Sequence, residues 1–187
     1  MKFYLTEDEL DSYAEFVRSR MKFTGIYELD VNHALVLGIV GEYFEILELE
    51  DEMESTTNSI DLEALQEKLK KEHGDMLFYF RATFNLLTIT NSRIMYNIDV
   101  GPPSTYVKFS KAMEEIIDMY KRRFIYGQQR VQLEQTVIDA WYTFCNKLEE
   151  EYGEDYLRDV LVANEAKLTK RYPHGFTTED SIAKRDS

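Results

Sequence analysis

The chain has 187 residues and a formal charge of −13 at neutral pH, and 44% of its residues are hydrophobic. This size and composition predict one packed globular domain spanning residues 1–187. Such a negative charge argues against nonspecific binding to nucleic acid or to an anionic membrane. No apolar run approaches the roughly 20 residues that span a bilayer, so we expect no membrane or nucleic-acid partner.

Cysteine usage and the amino-terminal sequence indicate the compartment. The only cysteine, Cys145, cannot form an intramolecular disulfide, and charges interrupt the first thirty residues, where a signal peptide would have an apolar core. We therefore expect a cytoplasmic protein.

Helix-forming residues alternate with short breaks, which predicts an all-α helical bundle. Thr6 and Glu9 form a predicted capping box for a first helix that ends near Lys22. The later helices are predicted at about 33–53, 61–87, 105–126, 129–152 and 154–171. The breaks between them contain STTNS, TNSR, VGPPS, Gly127 and Gly153. Pro173 and Gly175 end the last helix, and the polar tail from about 177 is expected to be flexible.

Two acidic pairs follow or precede apolar runs on neighbouring predicted helices. Glu42 and Glu45 follow HALVLGIV, and their spacing of three residues places them on one helix face. Glu72 and Asp75 repeat this spacing in EHGD, directly before MLFYF. If the two helices pack antiparallel, the four carboxylates converge.

A converging set of carboxylates has an electrostatic cost. One pair about 4 Å apart repels by about 4 kcal/mol at an effective dielectric constant near 20, against a total stability of roughly 5 to 15 kcal/mol. Either the pairs are apart and solvated, or a cation neutralises them. Oxygen ligands favour a hard cation such as Mg²⁺, and Mg²⁺ sites commonly serve phosphate chemistry. A di-iron site is disfavoured because no histidine follows a glutamate by three residues. Since 35 residues are acidic, the spacing alone leaves solvated faces and a metal site both open.

The last predicted helix ends in a basic segment, NEAKLTKRYPHGF, at residues 164–176. Cations here would favour the helix dipole, which is a purely structural explanation. However, Asn164, Lys167 and Arg171 lie three and four residues apart on one face, a spacing that suits a polyphosphate.

Three segments in this order, LGIVGEYFE, EHGDMLFYF and NEAKLTKRYPHGF, resemble the MazG-like branch of the all-α nucleoside triphosphate pyrophosphohydrolases. That family is marked by ExxE followed by ExxD on the next helix, and SYAEFVRSRMKF resembles its common amino-terminal helix. The resemblance covers about residues 8–80 and 141–185. It implies Mg²⁺-dependent hydrolysis of a (deoxy)nucleoside triphosphate to the monophosphate and pyrophosphate, with Mn²⁺ able to substitute. It also implies a homo-oligomer, a dimer or tetramer, in nucleotide-pool housekeeping or modified-nucleotide metabolism.

The resemblance also implies roles for particular residues. The metal-binding and catalytic carboxylates would be Glu42, Glu45, Glu72 and Asp75. The substrate phosphates would be bound by Asn164, Lys167, Lys170 and Arg171. Weaker nucleobase candidates, each with a structural alternative, are Asn32, His33 and Tyr172.

The chain departs from the family pattern by about 60 extra residues, roughly 81–140. We expect this insertion to form a helical hairpin. Its apolar stripe is expected to join the core or a subunit interface, or otherwise to form a lid or base pocket with local cations. A solvated helix end is the structural alternative for those cations. The stripe comprises Met113, Ile116, Ile117, Tyr120 and Phe124, and the cations are Lys121, Arg122 and Arg123.

Two other functional classes remain open at this point. The same scaffold could be a noncatalytic module that binds a nucleotide or a protein. Alternatively, the chain could be an interaction protein whose acidic residues are only solvated.

Overall fold

A computed structural model describes residues 5–21, 28–91, 94, 109–127 and 130–175, without the side chains of 28–30, 32, 123, 124 and 130–132. This part of the chain contains six α-helices and no strand, so the all-α prediction is confirmed. The helices are α1 (Glu7–Arg20), α2 (Glu28–Ser55), α3 (Ser59–Leu87), α4 (Phe109–Phe124), α5 (Arg130–Tyr152) and α6 (Tyr156–Arg171). The predicted break at VGPPS and the tail from 177 lie outside the described residues.

The helix starts show where local sequence decides the structure. The predicted capping box is confirmed, because the Glu9 amide donates to Thr6 Oγ1 at 3.2 Å and the Thr6 amide donates to the Glu9 carboxylate at 2.7 Å. Helix α2 begins at Glu28, five residues before the predicted start at His33. Val31 explains part of this difference, since it is buried one turn before Leu35 and continues the same apolar face.

Helices α2 and α3 form an antiparallel hairpin joined by residues 56–58. Asn58 caps α3 by accepting a hydrogen bond from the Ile60 amide at 3.1 Å. The two helices approach closely at Gly38, where an added Cβ would lie 2.3 Å from the Tyr79 ring. The absence of a side chain at Gly38 therefore lets α3 pack tightly against α2 on the side that carries the acidic pairs.

Helix α1 runs parallel to α6 and holds it at both ends. Near the start of α6, Arg158 donates to Glu9 at 2.6 Å. Near its end, Arg20 donates to the backbone carbonyls of Tyr172 and Pro173 at 2.7 and 3.2 Å. The second contact satisfies carbonyl groups that a helix C-terminus leaves without intrahelical partners.

The insertion is part of the main hydrophobic core. One continuous buried cluster includes residues from all six helices. Trp141 of α5 is fully buried, with the rings of Phe80 and Phe84 packed edge-on against it at 5.8 and 5.5 Å. The described part of the insertion therefore packs into the same core as the other helices.

The predicted apolar stripe of α4 is only partly buried. Met113 and Ile116 lie in the core, Tyr120 is half-buried, and Ile117 is 48% exposed. The side chain of Phe124 lies outside the described residues.

The cations at the end of α4 are engaged with their own helix. Lys121 lies 3.0 Å from Asp118, and Arg122 donates to the same carboxylate at 2.5 Å. The side chain of Arg123 is not described. These contacts favour the solvated helix end over a basic lid.

Of the described helices, none combines the length and the apolar character that crossing a membrane would require.

Candidate functional site

Three of the four predicted carboxylates converge between α2 and α3. One oxygen from each of Glu42, Glu45 and Glu72 lies within 4.8 Å of the other two. The antiparallel hairpin explains this convergence, because a face near the middle of α2 meets a face near the middle of α3. Glu42 and Glu72 are half-buried, whereas Glu45 is exposed, so the cluster opens to solvent on one side.

Two members of the cluster, Glu42 and Glu72, hold their protons more tightly than ordinary carboxylates do. Burial, followed by the charges of Asp75, Glu45 and Glu72, raises the pKa of Glu42 to about 9. Burial and the charge of Asp75 also raise the pKa of Glu72. The charged cluster is therefore unfavourable without a compensating cation.

The residues fit a hard divalent cation. All three donors are carboxylate oxygens, and one of them, Glu42 Oε2, is buried with no hydrogen-bond partner in the described structure. Carboxylate oxygens suit a hard divalent cation such as Mg²⁺, so Glu42, Glu45 and Glu72 are the residues that would hold it. Across the described residues, no other group of three or more histidine, cysteine or acidic side chains is arranged closely enough to hold a metal.

His73, inside the EHGD segment, faces away from the carboxylates. It is fully buried, and its Nδ1 lies 3.0 Å from the Tyr156 hydroxyl. Burial, with a smaller effect from Lys147, lowers the pKa of His73 to about 3, so its imidazole is neutral. His73 is a core residue, and the candidate metal ligands are all oxygens.

The fourth predicted carboxylate, Asp75, faces the seam between α3 and α6. Lys167 donates to both of its oxygens, and Asn164 Nδ2 donates to its Oδ1 at 2.9 Å. Asp75 is still close enough to raise the pKa of Glu42 and of Glu72. It therefore links the acidic cluster to the basic residues of α6.

Asn164 holds Asp75 and is itself held by α1. The Tyr13 hydroxyl donates to Asn164 Oδ1 at 3.1 Å, and both residues are buried. Both polar atoms of the Asn164 amide are thus engaged within the protein. This arrangement suits a residue that orients Asp75, whereas the sequence predicted a phosphate contact.

Gly74 makes the contact between α3 and α6 possible. A Cβ at Gly74 would lie 2.9 Å from both Cβ and Nδ2 of Asn164. Atoms at this separation overlap, so a larger residue would push Asn164 away from Asp75. The sequence gave no sign of this requirement, because it depends on how α6 packs.

Tyr79 is a neighbour of the cluster that was not predicted. Burial, and next the charge of Glu42, raise the pKa of Tyr79 to about 12, with Asp75 and Tyr172 as further contributors. Tyr79 lies one turn after Asp75, so the spacing of four residues could have identified it. Its position within the apolar run MLFYF instead indicates a core residue.

The remaining predicted site residues are the basic residues at the end of α6 and the nucleobase candidates. Lys170 and Arg171 are exposed, and the Arg171 guanidinium packs 5.5 Å from the centre of the buried Tyr172 ring. His33 is exposed and contacts the Tyr120 ring edge-on at 5.4 Å. The side chain of Asn32 is not described.

Comparison of this chain with protein-family models, curated proteins and solved structures found no match.

Proposed function

We propose that this chain is a Mg²⁺-dependent nucleoside triphosphate pyrophosphohydrolase of the MazG-like type. The observation that carries the proposal is the convergence of Glu42, Glu45 and Glu72 between two antiparallel helices, with Asp75 beside them. The motif order resembles that family, and the donor set fits a hard cation. The exposure of Glu45 opens the cluster to solvent on one side.

Under this proposal, water attacks the α-phosphorus and the bond from that phosphorus to the α,β-bridging oxygen breaks. Pyrophosphate leaves with the bonding electrons, and a carboxylate of the cluster accepts a proton from the water. Bound Mg²⁺ would supply polarisation of the phosphate and a lower pKa for the attacking water. The protein residues hold the reacting groups: the glutamates act as ligands, and Lys167 offsets charge near Asp75.

Product identification tests the proposal directly. Purified protein with Mg²⁺ is incubated with a panel of standard and modified (d)NTPs, and the products are separated by anion-exchange chromatography. We expect monophosphate and pyrophosphate in equal amounts, with Mn²⁺ supporting some activity. Orthophosphate as the sole phosphate product would contradict the mechanism.

A binding measurement separates the enzyme from the other classes. A nonhydrolysable triphosphate analogue with Mg²⁺ should raise the melting temperature of the enzyme, because it binds only the folded chain. The same rise without turnover of any nucleotide would indicate a noncatalytic binding module. No rise and no turnover would indicate an interaction protein with solvated acidic faces.

A further inference from the structure

A groove lined by lysines runs between α3 and α6, beside the ion pair of Asp75 and Lys167. Its cavity has a volume of about 140 Å³, on the order of ten times the space that one ordered water needs. The α3 residues that line it after Glu67 lie three, four and seven residues further on, a spacing that places them on one face of the helix. The lining residues are Glu67, Lys70, Lys71, Gly74, Ala163, Asn164 and Lys167.

The charge of this groove is opposite to that of the chain. Three lysines and one glutamate line it, although the chain as a whole carries a formal charge of −13. Lys167 is paired with Asp75, and Lys70 Nζ lies 5.9 Å from the centre of the Tyr156 ring. Within the described residues, neither Lys70 nor Lys71 lies within ion-pair distance of a carboxylate. Two ammonium groups are thus available to an anion at this position.

The groove also adjoins the acidic cluster. Asp75 is the shared element, because its charge acts on Glu42 and Glu72 while its oxygens accept hydrogen bonds from two residues that line the groove, Asn164 and Lys167. Asp75 therefore joins the carboxylate cluster to the lysines of this groove.

We propose that this groove is a diphosphate subsite, in which Lys71 and Lys70 bind the β- and γ-phosphates of the substrate and the pyrophosphate product. This inference rests on the proposed function, and it adds a location and two residues that the sequence pattern did not indicate. The sequence pointed to Lys170 and Arg171 at the end of α6, which do not line this groove. Lys70 and Lys71 instead precede the EHGD segment, where they had the appearance of ordinary solvated helix residues.

Titration calorimetry of inorganic pyrophosphate into the full-length chain with Mg²⁺ tests the subsite without requiring turnover. Lys71→Ala should weaken binding about tenfold, because charge-assisted hydrogen bonds to phosphate are lost. Lys70→Ala should weaken binding to a similar or smaller extent. Lys111→Ala is the charge-matched control, since Lys111 is exposed on α4, which packs against α2 and α5. Lys71 is exposed, so its substitution should leave folding intact, as circular dichroism would verify.

The outcomes separate this inference from the proposed function. Selective weakening by Lys71→Ala supports the subsite, whether or not the wild-type chain hydrolyses a nucleotide. Equal affinities for Lys71→Ala and Lys111→Ala would overturn the subsite, even in a chain that releases pyrophosphate. Failure of the wild-type chain to bind pyrophosphate would overturn it as well. A chain that binds pyrophosphate through Lys71 and hydrolyses nothing would retain the subsite and lose the proposed enzyme.

Discussion

Helix α3 has two charged faces that differ in how their charges are compensated. On the face toward α2, three glutamates converge, and the buried Glu42 Oε2 has no hydrogen-bond partner among the described residues. On the side toward α6, Asp75 accepts hydrogen bonds from Lys167 and Asn164. On the first face, burial and neighbouring carboxylates raise the pKa of Glu42 and Glu72, whereas on the second face the protein itself pairs Asp75 with a cation. Under the proposed function, we expect α6 to position Asp75 and the glutamates to supply most of the affinity for Mg²⁺.

The largest expected effect is the loss of activity in Glu42→Gln. An amide cannot replace a charged metal ligand. Changes to outer-shell residues lower metal affinity or activity by about 10- to 100-fold, so loss of a direct ligand should lower activity by more than about 100-fold. Turnover and Mg²⁺ affinity should fall together, with helicity unchanged by circular dichroism. Glu52→Gln is the matched control, because Glu52 is exposed on the same helix and should retain full activity.

The metal-free protein should lose stability as the pH rises. The pKa of Glu42 is raised from 4.5 to about 9, so between these values the folded chain holds a proton that the unfolded chain has released. Stability from this group is fully present below about pH 4.5 and is lost as the pH rises toward 9. Melting temperatures measured across this range should decline, and Mg²⁺ should oppose the decline.

Burial and the charge of Glu154 raise the pKa of Glu149 to about 7, so Glu149 also lowers stability as the pH rises. Glu42→Gln separates the contribution of Glu42 from that of Glu149. The variant should show a flatter pH profile than the wild-type chain. Identical profiles would mean that the raised pKa of Glu42 does not contribute to the pH dependence of stability.

A substitution on the other face should act through packing. Gly74→Ala places a Cβ 2.9 Å from Asn164, and overpacking of this kind costs about 1–3 kcal/mol in the free energy of unfolding. Gly41→Ala is the control, because no atom lies within 4 Å of a Cβ there. That variant should be more stable by roughly 0.5–1 kcal/mol, since alanine favours the helix. Urea unfolding of both variants measures the contrast, and destabilisation by both would contradict the packing explanation.

The smallest expected effect tests whether Tyr13 and Asn164 position Asp75. Tyr13→Phe leaves Asn164 Oδ1 buried without its donor and should cost about 1–2 kcal/mol of stability. It should also weaken Mg²⁺ binding by about tenfold, the usual effect of losing an outer-shell contact. Thermal unfolding and calorimetric titration measure the two quantities.

Tyr142→Phe provides the matched control for this variant. The Tyr142 hydroxyl is buried and donates to the Ile94 carbonyl, so its removal should cost similar stability. The affinity for Mg²⁺ should not change. If both variants bind Mg²⁺ as tightly as the wild-type chain, Tyr13 stabilises the fold without positioning Asp75.

The sequence by itself determined the helices and the residues expected to meet on the face between α2 and α3. The capping box of Thr6 and Glu9, the breaks near Asn58 and Gly153, and the spacing of each acidic pair depend on residues within one or two turns of one another. Such local interactions are visible in the order of residues. The sequence left the antiparallel packing of α2 and α3 as a condition, and the structure shows it.

Only the tertiary structure decided how the face toward α6 is built. Tyr13 and Asn164 are separated by 151 positions, and Gly74 is required only because Asn164 packs against it. No local pattern encodes these contacts, because they depend on the crossing of helices that are distant in sequence. The same packing places Lys70 and Lys71 along a groove together with the predicted Asn164 and Lys167. The spacing of the glutamates was predictable from local sequence, whereas the groove depends on how α6 packs against α3.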